Sequence, residues 1–258
     1  MAGLLGFNGT LPALNAISIF GRTNRGIHRH SHLFSLPEEF KISAYATTSV
    51  QEMSERRDGE KFFDAPKFNS ICSPSGAITQ PHVDGISSAS FQVHISGTKL
   101  WFFWPPNAHN LLWLSEHNDD SRPPDLLNAI SCLKNLTLML LTPGNRMTMD
   151  PGTIHSVMSL NTSAHTSLEF FSEVHFDLAK KNMEWELEWL SGMERSGRGM
   201  LESRIIHSLD GLKMWEKVAS QRQGHQPRNR KQSKMRRIDG MTSDVEDIIG
   251  RYNELLNQ

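Results

Sequence analysis

Short β-type segments fill the middle of the chain, and most of them end near a proline or glycine. They are SASFQVHIS (88–96), KLWFFW (99–104), LTLMLL (136–141), TIHSVMSL (153–160) and TSLEFF (166–171). Alternating or fully apolar runs of this length are typical of strands, and Pro-Pro and Pro-Gly pairs mark the turns between them. A series of short strands with few helices between them predicts a sandwich or barrel.

The pattern turns helical after the last of these strands. Residues 177–190 and 211–221 are rich in helix-forming residues and contain no proline. Near the C-terminus, Ser243 and Glu246 form a capping-box pattern, and the apolar residues around them recur on one helical face. The sequence therefore predicts a mainly β fold with helical additions.

We divide the chain where its composition changes. The predicted segments are an irregular or short-strand region (1–36), a β core (37–176), a helical extension (177–221), a basic linker (222–241) and a C-terminal amphipathic helix (242–258). Within the core, residues 37–57 are predicted to be helical or mixed, and residues 111–133 to form an insertion with an acidic loop and a helix. A chain of 258 residues ordinarily builds one core of catalytic size.

Composition excludes several classes of protein. The formal net charge is −1, so the molecule as a whole has no field that would recruit nucleic acid or an anionic membrane. Two cysteines are too few for a disulfide framework or a thiolate zinc site. The N-terminus lacks the basic region of a signal peptide, and no run approaches the roughly 20 apolar residues that span a bilayer. We expect a soluble, intracellular protein with no membrane contact.

Three His-x-Asp triplets occur in the chain, and each offers an imidazole and a carboxylate that could bind one metal ion. His117 lies in an acidic loop, where a solvated charged turn is the simpler interpretation. His175 stands where the last strand meets a helix, and there Asp177 is more simply an N-cap. His82 and Asp84 instead follow a turn-rich stretch and open onto an alternating strand, which would fix both side chains.

A third ligand would complete a two-histidine, one-carboxylate face that leaves coordination positions open on iron. His155 is the best candidate, because it follows the Pro151-Gly152 turn at the start of an apolar strand. By itself, a histidine on an apolar strand is more often a hydrogen-bonded core residue. Together with His82 and Asp84, it makes a metal site the better hypothesis.

The segments PHVDGISSASFQVHISGTKLWFFWPP and PGNRMTMDPGTIHSVMSL resemble the JmjC family of 2-oxoglutarate oxygenases, over about residues 63–176. Thr79 lies three residues before His82, Lys99 lies 17 after it and His155 lies 73 after it, a spacing similar to that of the lysine-demethylase branch. The resemblance implies a double-stranded β-helix, of jelly-roll or cupin-like form, in which His82, Asp84 and His155 bind catalytic Fe(II). It also implies that 2-oxoglutarate and O₂ are used, and that Thr79 and Lys99 hold the distal carboxylate of 2-oxoglutarate.

Two positions depart from the pattern of that branch. Gln92 stands ten residues after His82, where a tyrosine often binds the cosubstrate. Ser172 lies near the place where the last core strand of the family often supplies an asparagine. By the resemblance, Gln92 and Ser172 are the candidate cosubstrate-binding residues at these places.

The resemblance leaves three functions open. Histone lysine demethylation matches the spacing best, and the alternatives are side-chain hydroxylation of a protein and a catalytically silent JmjC module that binds or scaffolds. We expect a protein or histone peptide as partner and a nuclear rather than cytoplasmic location. The basic run at residues 228–237 could contact nucleic acid weakly, although a solvated tail or a localisation signal explains it at least as well.

Overall fold

The computed structural model describes residues 16–21, 43–45, 68–117, 124–192, 198–224 and 232–257. The strands in these ranges are β1 (Ala16–Gly21), β2 (Ser43–Tyr45), β3 (Phe68–Ser73), β4 (Ile78–His82), β5 (Ala89–Ser96), β6 (Lys99–Trp104), β7 (Thr137–Leu141), β8 (Arg146–Met149), β9 (Ile154–Ser159) and β10 (Ser163–Ser172). The helices are α1 (Ala108–His117), α2 (Leu126–Cys132), α3 (Phe176–Ser191), α4 (Arg198–Gly224) and α5 (Gln232–Asn257). A 3₁₀ turn, Glu173–His175, leads from β10 into α3.

Strands β3 to β10 form two antiparallel sheets in jelly-roll order. One sheet has the order β3-β10-β5-β8, with β1 beside β3 and β2 paired with β10, and the other has the order β4-β9-β6-β7. If β3 to β10 are renumbered 1 to 8 along the chain, the strand orders of the two sheets are 1-8-3-6 and 2-7-4-5. This winding is that of a double-stranded β-helix, so the fold class predicted from the sequence is confirmed.

Side-chain alternation along the strands fills the space between the two sheets. Lys99, Trp101 and Phe103 share the inward face of β6, and Trp101 packs there with Val157 of β9 and Met149 of β8. Trp101 and Lys99 are each only 1% exposed. The interior of the barrel therefore holds a buried cation as well as apolar side chains.

Helices α1 and α2 form the insertion between β6 and β7 and cover the outer face of the four-stranded sheet. Phe102 and Trp104 of β6 pack there against Leu111 of α1 and Ala129 of α2. The sequence predicted one helix in this region, whereas the structure has two. Most of the acidic loop between them, residues 118–123, lies outside the described ranges.

Helices α3, α4 and α5 share one apolar core, and that core also contains Ile86 of the barrel. The fully buried Trp215 of α4 donates its indole N–H to the carbonyl of Ser87 at 3.1 Å. The Tyr252 hydroxyl of α5 donates to Glu186 Oε2 of α3 at 2.7 Å. The helices are thus joined to one another and to the barrel segment between β4 and β5. Within the described ranges, none of the helices is long and apolar enough to cross a membrane.

Several predicted boundaries differ from those of the structure. Helix α5 begins at Gln232, so residues 232–241 of the predicted basic linker are helical; Lys, Arg, Gln and Met favour helix even without an apolar stripe. Asp177 lies in the first turn of α3, whose N-cap is His175. Residues 43–45, predicted as helical or mixed, form β2. Most of the predicted region 1–36 and linker residues 225–231 lie outside the described ranges.

Candidate metal centre

His82, Asp84 and His155 come together where β4 ends and β9 begins. His82 and His155 are paired across the two strands, and their ring centroids lie 4.2 Å apart. Asp84 Oδ1 lies 3.3 Å from His82 Nε2 and 3.8 Å from His155 Nε2. One ligand atom from each residue lies within 4.8 Å of the other two, which is close enough for all three to bind one ion.

Backbone carbonyls fix the orientation of both imidazole rings. His82 Nδ1 lies 2.8 Å from the carbonyl oxygen of Gln80, and His155 Nδ1 lies 3.3 Å from that of Thr153. A carbonyl only accepts, so each Nδ1 carries the proton and donates it. When its ring is neutral, each histidine therefore presents the lone pair of Nε2 to a cation, in the arrangement that metal-binding histidines use.

The protonation states of the three groups also suit a cation. Burial alone would raise the pKa of Asp84, but the charges of His155 and His82 and a hydrogen bond from His82 lower it well below its usual range. Burial lowers the pKa of His155 to about 4, against the opposing effect of Asp84. Burial also acts to lower the pKa of His82, but Asp84 outweighs it and raises that pKa above 6.5. At neutral pH, Asp84 is a carboxylate and His155 is neutral, as metal binding requires.

The donor set fits iron(II). Two imidazoles and one carboxylate on one side of an ion are the ligands of non-haem Fe(II) oxygenases, which keep the remaining positions for substrates. His155 is 3% exposed, whereas the side chains of His82 and Asp84 are 37% and 31% exposed. One side of the triad is therefore buried and the other opens towards the surface.

A cavity of about 160 Å³ inside the barrel adjoins the triad. Apart from His82, Asp84 and His155, it is lined by Ile71, Thr79, Gln92, Trp101, Val157, His165, Ser167 and Glu169. It is smaller than the roughly 300–1,000 Å³ of sites for drug-sized ligands, so it suits a small molecule. Of the residues that the resemblance assigns to cosubstrate binding, Thr79 and Gln92 line this cavity.

Lys99 and Ser172, the other two residues assigned to cosubstrate binding, do not line the cavity. Lys99 lies two residues before Trp101 on the inward face of β6 and donates its Nζ to Ser73 Oγ at 3.1 Å. Burial lowers the pKa of Lys99 to about 8. Ser172 is buried, but it lies an odd number of residues from the β10 positions that line the cavity, and alternation directs it to the other face.

Strand β10 supplies three cavity residues that the sequence analysis missed: His165, Ser167 and Glu169. They occupy every second position of the strand and alternate with Thr166, Leu168 and Phe170, which are buried; this alternation was the available signal. Burial, and to a smaller extent the charge of Asp84, raises the pKa of Glu169 to about 7.

Three cavity residues carry a buried polar atom without a hydrogen-bond partner in the described part of the chain. These atoms are Gln92 Oε1, Trp101 Nε1 and His165 Nδ1. Buried polar atoms are nearly always paired in native proteins, so these three atoms are available to hydrogen-bond to water or to a ligand in the cavity.

Comparisons with known proteins add a partial likeness of fold. No protein-family model matches the chain, and no curated protein matches it. Among solved structures, YcfD, a ribosomal oxygenase from Escherichia coli, is similar with 16% identity and a TM-score of 0.28, over 42% of this chain and 23% of YcfD. KdgF from Halomonas sp. is similar with 12% identity and a TM-score of 0.27, over 40% of this chain and 68% of KdgF. The fold assignment itself rests on the strand order.

Proposed function

We propose that this protein is an Fe(II)- and 2-oxoglutarate-dependent dioxygenase of JmjC type. The observation that carries the proposal is the triad of His82, Asp84 and His155, with both Nδ1 atoms anchored to carbonyls and both Nε2 atoms turned towards the carboxylate. This arrangement supports iron binding without any change in the protonation of Asp84 or His155. The adjoining cavity supports the binding of a small cosubstrate beside the ion.

The protein's own part in the reaction is to bind and orient the metal and the cosubstrate and to enclose them in the barrel. When bound, Fe(II) with 2-oxoglutarate and O₂ supplies the oxidation of a substrate C–H bond. His82, Asp84 and His155 would hold the metal, and Thr79 and Gln92, which line the cavity, would contact the cosubstrate there. Lys99 provides a buried positive charge deeper in the barrel, which favours a dianionic cosubstrate over a neutral one.

We propose a protein as the substrate, with a histone lysine as the first candidate. His82 and Asp84 are partly exposed, so a side chain carried by a larger molecule can approach the iron from outside. Hydroxylation of an N-methyl group releases formaldehyde, whereas hydroxylation of a side-chain carbon leaves a stable alcohol. The products therefore separate demethylation from the alternative, protein hydroxylation.

Glu169 favours a second candidate function, a JmjC module that binds or scaffolds without turnover. Its carboxyl group lies in the cavity and interacts with the charge of Asp84. When ionised, Glu169 opposes a dianionic cosubstrate, and only its protonated form can donate a hydrogen bond to one. The scaffold function requires that iron binds and that succinate is not formed.

The test begins with anaerobic binding of Fe(II) and 2-oxoglutarate, followed by succinate release after O₂ is admitted. We expect wild-type protein to bind both and to form succinate, and His82→Ala to lose iron binding. His117→Ala is the matched control, because His117 belongs to another His-x-Asp triplet and lies exposed at the end of α1. Iron binding without succinate supports the scaffold function, and absence of iron binding rejects both.

A further inference from the structure

A single amide side chain of α3 reaches both the loop that follows Asp84 and the loop that precedes His155. Asn182 is 1% exposed, and its Nδ2 donates to the carbonyl of Pro151 at 2.8 Å and to that of Ile86 at 3.4 Å. Ile86 follows Asp84 by two residues, and Pro151 precedes His155 by four. The two protons of one NH₂ group thus join the loop of the carboxylate ligand to the loop of the buried histidine.

The two loops are also joined directly, through Gly152, which has no side chain and so leaves room for the amide of Asn182. The backbone N–H of Gly152 donates to the carbonyl of Gly85 at 2.9 Å. Gly152 has φ +74°, and a Cβ atom there would lie 2.6 Å from Asn182 Nδ2. A residue with a side chain would be strained by that φ and would displace the amide, so glycine is required for the close approach.

We infer that Asn182 is a positioning residue of the metal centre, which holds the loops of Asp84 and His155 at the separation that iron binding needs. This inference rests on the proposed function. The donor geometry depends on two loops from different parts of the chain, and their backbone carbonyls are the groups that Asn182 restrains. The helical extension is therefore part of the metal centre, because α3 supplies the amide and Trp215 of α4 holds the next carbonyl, that of Ser87.

The test compares metal affinity in two variants with different hydrogen bonds removed. Asn182→Leu keeps a similar volume and removes both donors. We expect its affinity for Fe(II), measured anaerobically, to fall about 10–100-fold, the usual effect of losing a group that orients metal ligands. With Co(II) as a spectroscopic probe, its visible absorption should also change, since the ligands are no longer held in place. If the leucine variant does not fold, Asn182→Ser, a smaller and less disruptive change, is compared with wild type by the same two measurements.

Tyr252→Phe is the matched control. It removes the hydroxyl that contacts Glu186 Oε2 and the carbonyl of Met183 in α3, and neither of these partners belongs to a ligand loop. We expect it to reduce stability while leaving metal affinity and the Co(II) spectrum unchanged. Equal metal affinity in Asn182→Leu and wild type overturns the inference alone, as does an equal loss in Tyr252→Phe. Wild-type protein that binds no metal overturns the proposed function, and the inference with it.

Discussion

Replacement of Glu169 by glutamine tests the electrostatics of the cavity through the stability of the metal-free protein. The pKa of Glu169 is raised from 4.5 to about 7, first by burial and then by the charge of Asp84. A carboxyl group with a raised pKa in the folded state binds its proton more tightly there than in the unfolded state. Its contribution to stability is therefore greatest below pH 4.5, falls as the pH rises towards 7, and changes little above that value.

The magnitude follows from the size of this rise in pKa. At about 1.4 kcal/mol per pH unit, a rise from 4.5 to about 7 corresponds to roughly 3 kcal/mol of lost stability. Glu169 is partly exposed, so solvent screens some of this effect, and we expect about 1.5–3 kcal/mol. Glu169→Gln has a similar shape and does not ionise. It should match wild type near pH 4 and exceed its stability by that amount at pH 8.

The assay is urea unfolding of both proteins with a chelator present, at intervals from pH 4 to pH 8. Other groups titrate equally in the two proteins, so the difference in the free energy of unfolding isolates Glu169. A difference that stays constant across this range refutes the raised pKa. A difference that grows towards acid pH would mean that Glu169 is paired with a cation in the folded protein.

Further predictions concern the cavity, the metal and one turn. His165→Leu should weaken 2-oxoglutarate binding about tenfold while Fe(II) affinity stays unchanged, because it removes a hydrogen-bonding group from the cavity wall and leaves the triad intact. Anaerobic calorimetric titration of the metal-free protein with Fe(II), and then of the metal-loaded protein with 2-oxoglutarate, measures the two affinities. Fe(II) added anaerobically at 100 times its Kd should stabilise the protein by about 2.7 kcal/mol, and calorimetric scans of His82→Ala should show no such shift. Gly97→Ala should lower the melting temperature by several degrees, because φ is +72° and the new Cβ would lie 2.3 Å from the carbonyl oxygen of Thr162. The control is Gly144→Ala, which measures the backbone strain alone, because Gly144 has φ +89° and open space around it.

Local sequence patterns were sufficient to predict most strands of the barrel and to select three residues, His82, Asp84 and His155, that the structure brings together. The alternation in 88–96 and the aromatic run in 99–104 correspond to β5 and β6, because short strands with turn residues at their ends are encoded locally. His82 and His155 stood out because each lies at a strand end beside a turn. The sequence could not show that Lys99 lies outside the cavity, because that depends on how strands far apart in the chain are paired and stacked. Asn182 gave no signal, since an asparagine within a helix is usually exposed.

The pairing of His82 with His155 across β4 and β9 has a consequence for folding. The two histidines are 73 residues apart in the chain, and β5 to β8 lie between their strands in the sequence. Contacts between distant segments form slowly, because the entropy of closing a long loop is lost before the contact contributes. The three candidate ligands therefore come together only once β4 and β9 have paired, and on the proposed function the capture of Fe(II) during refolding would mark that step.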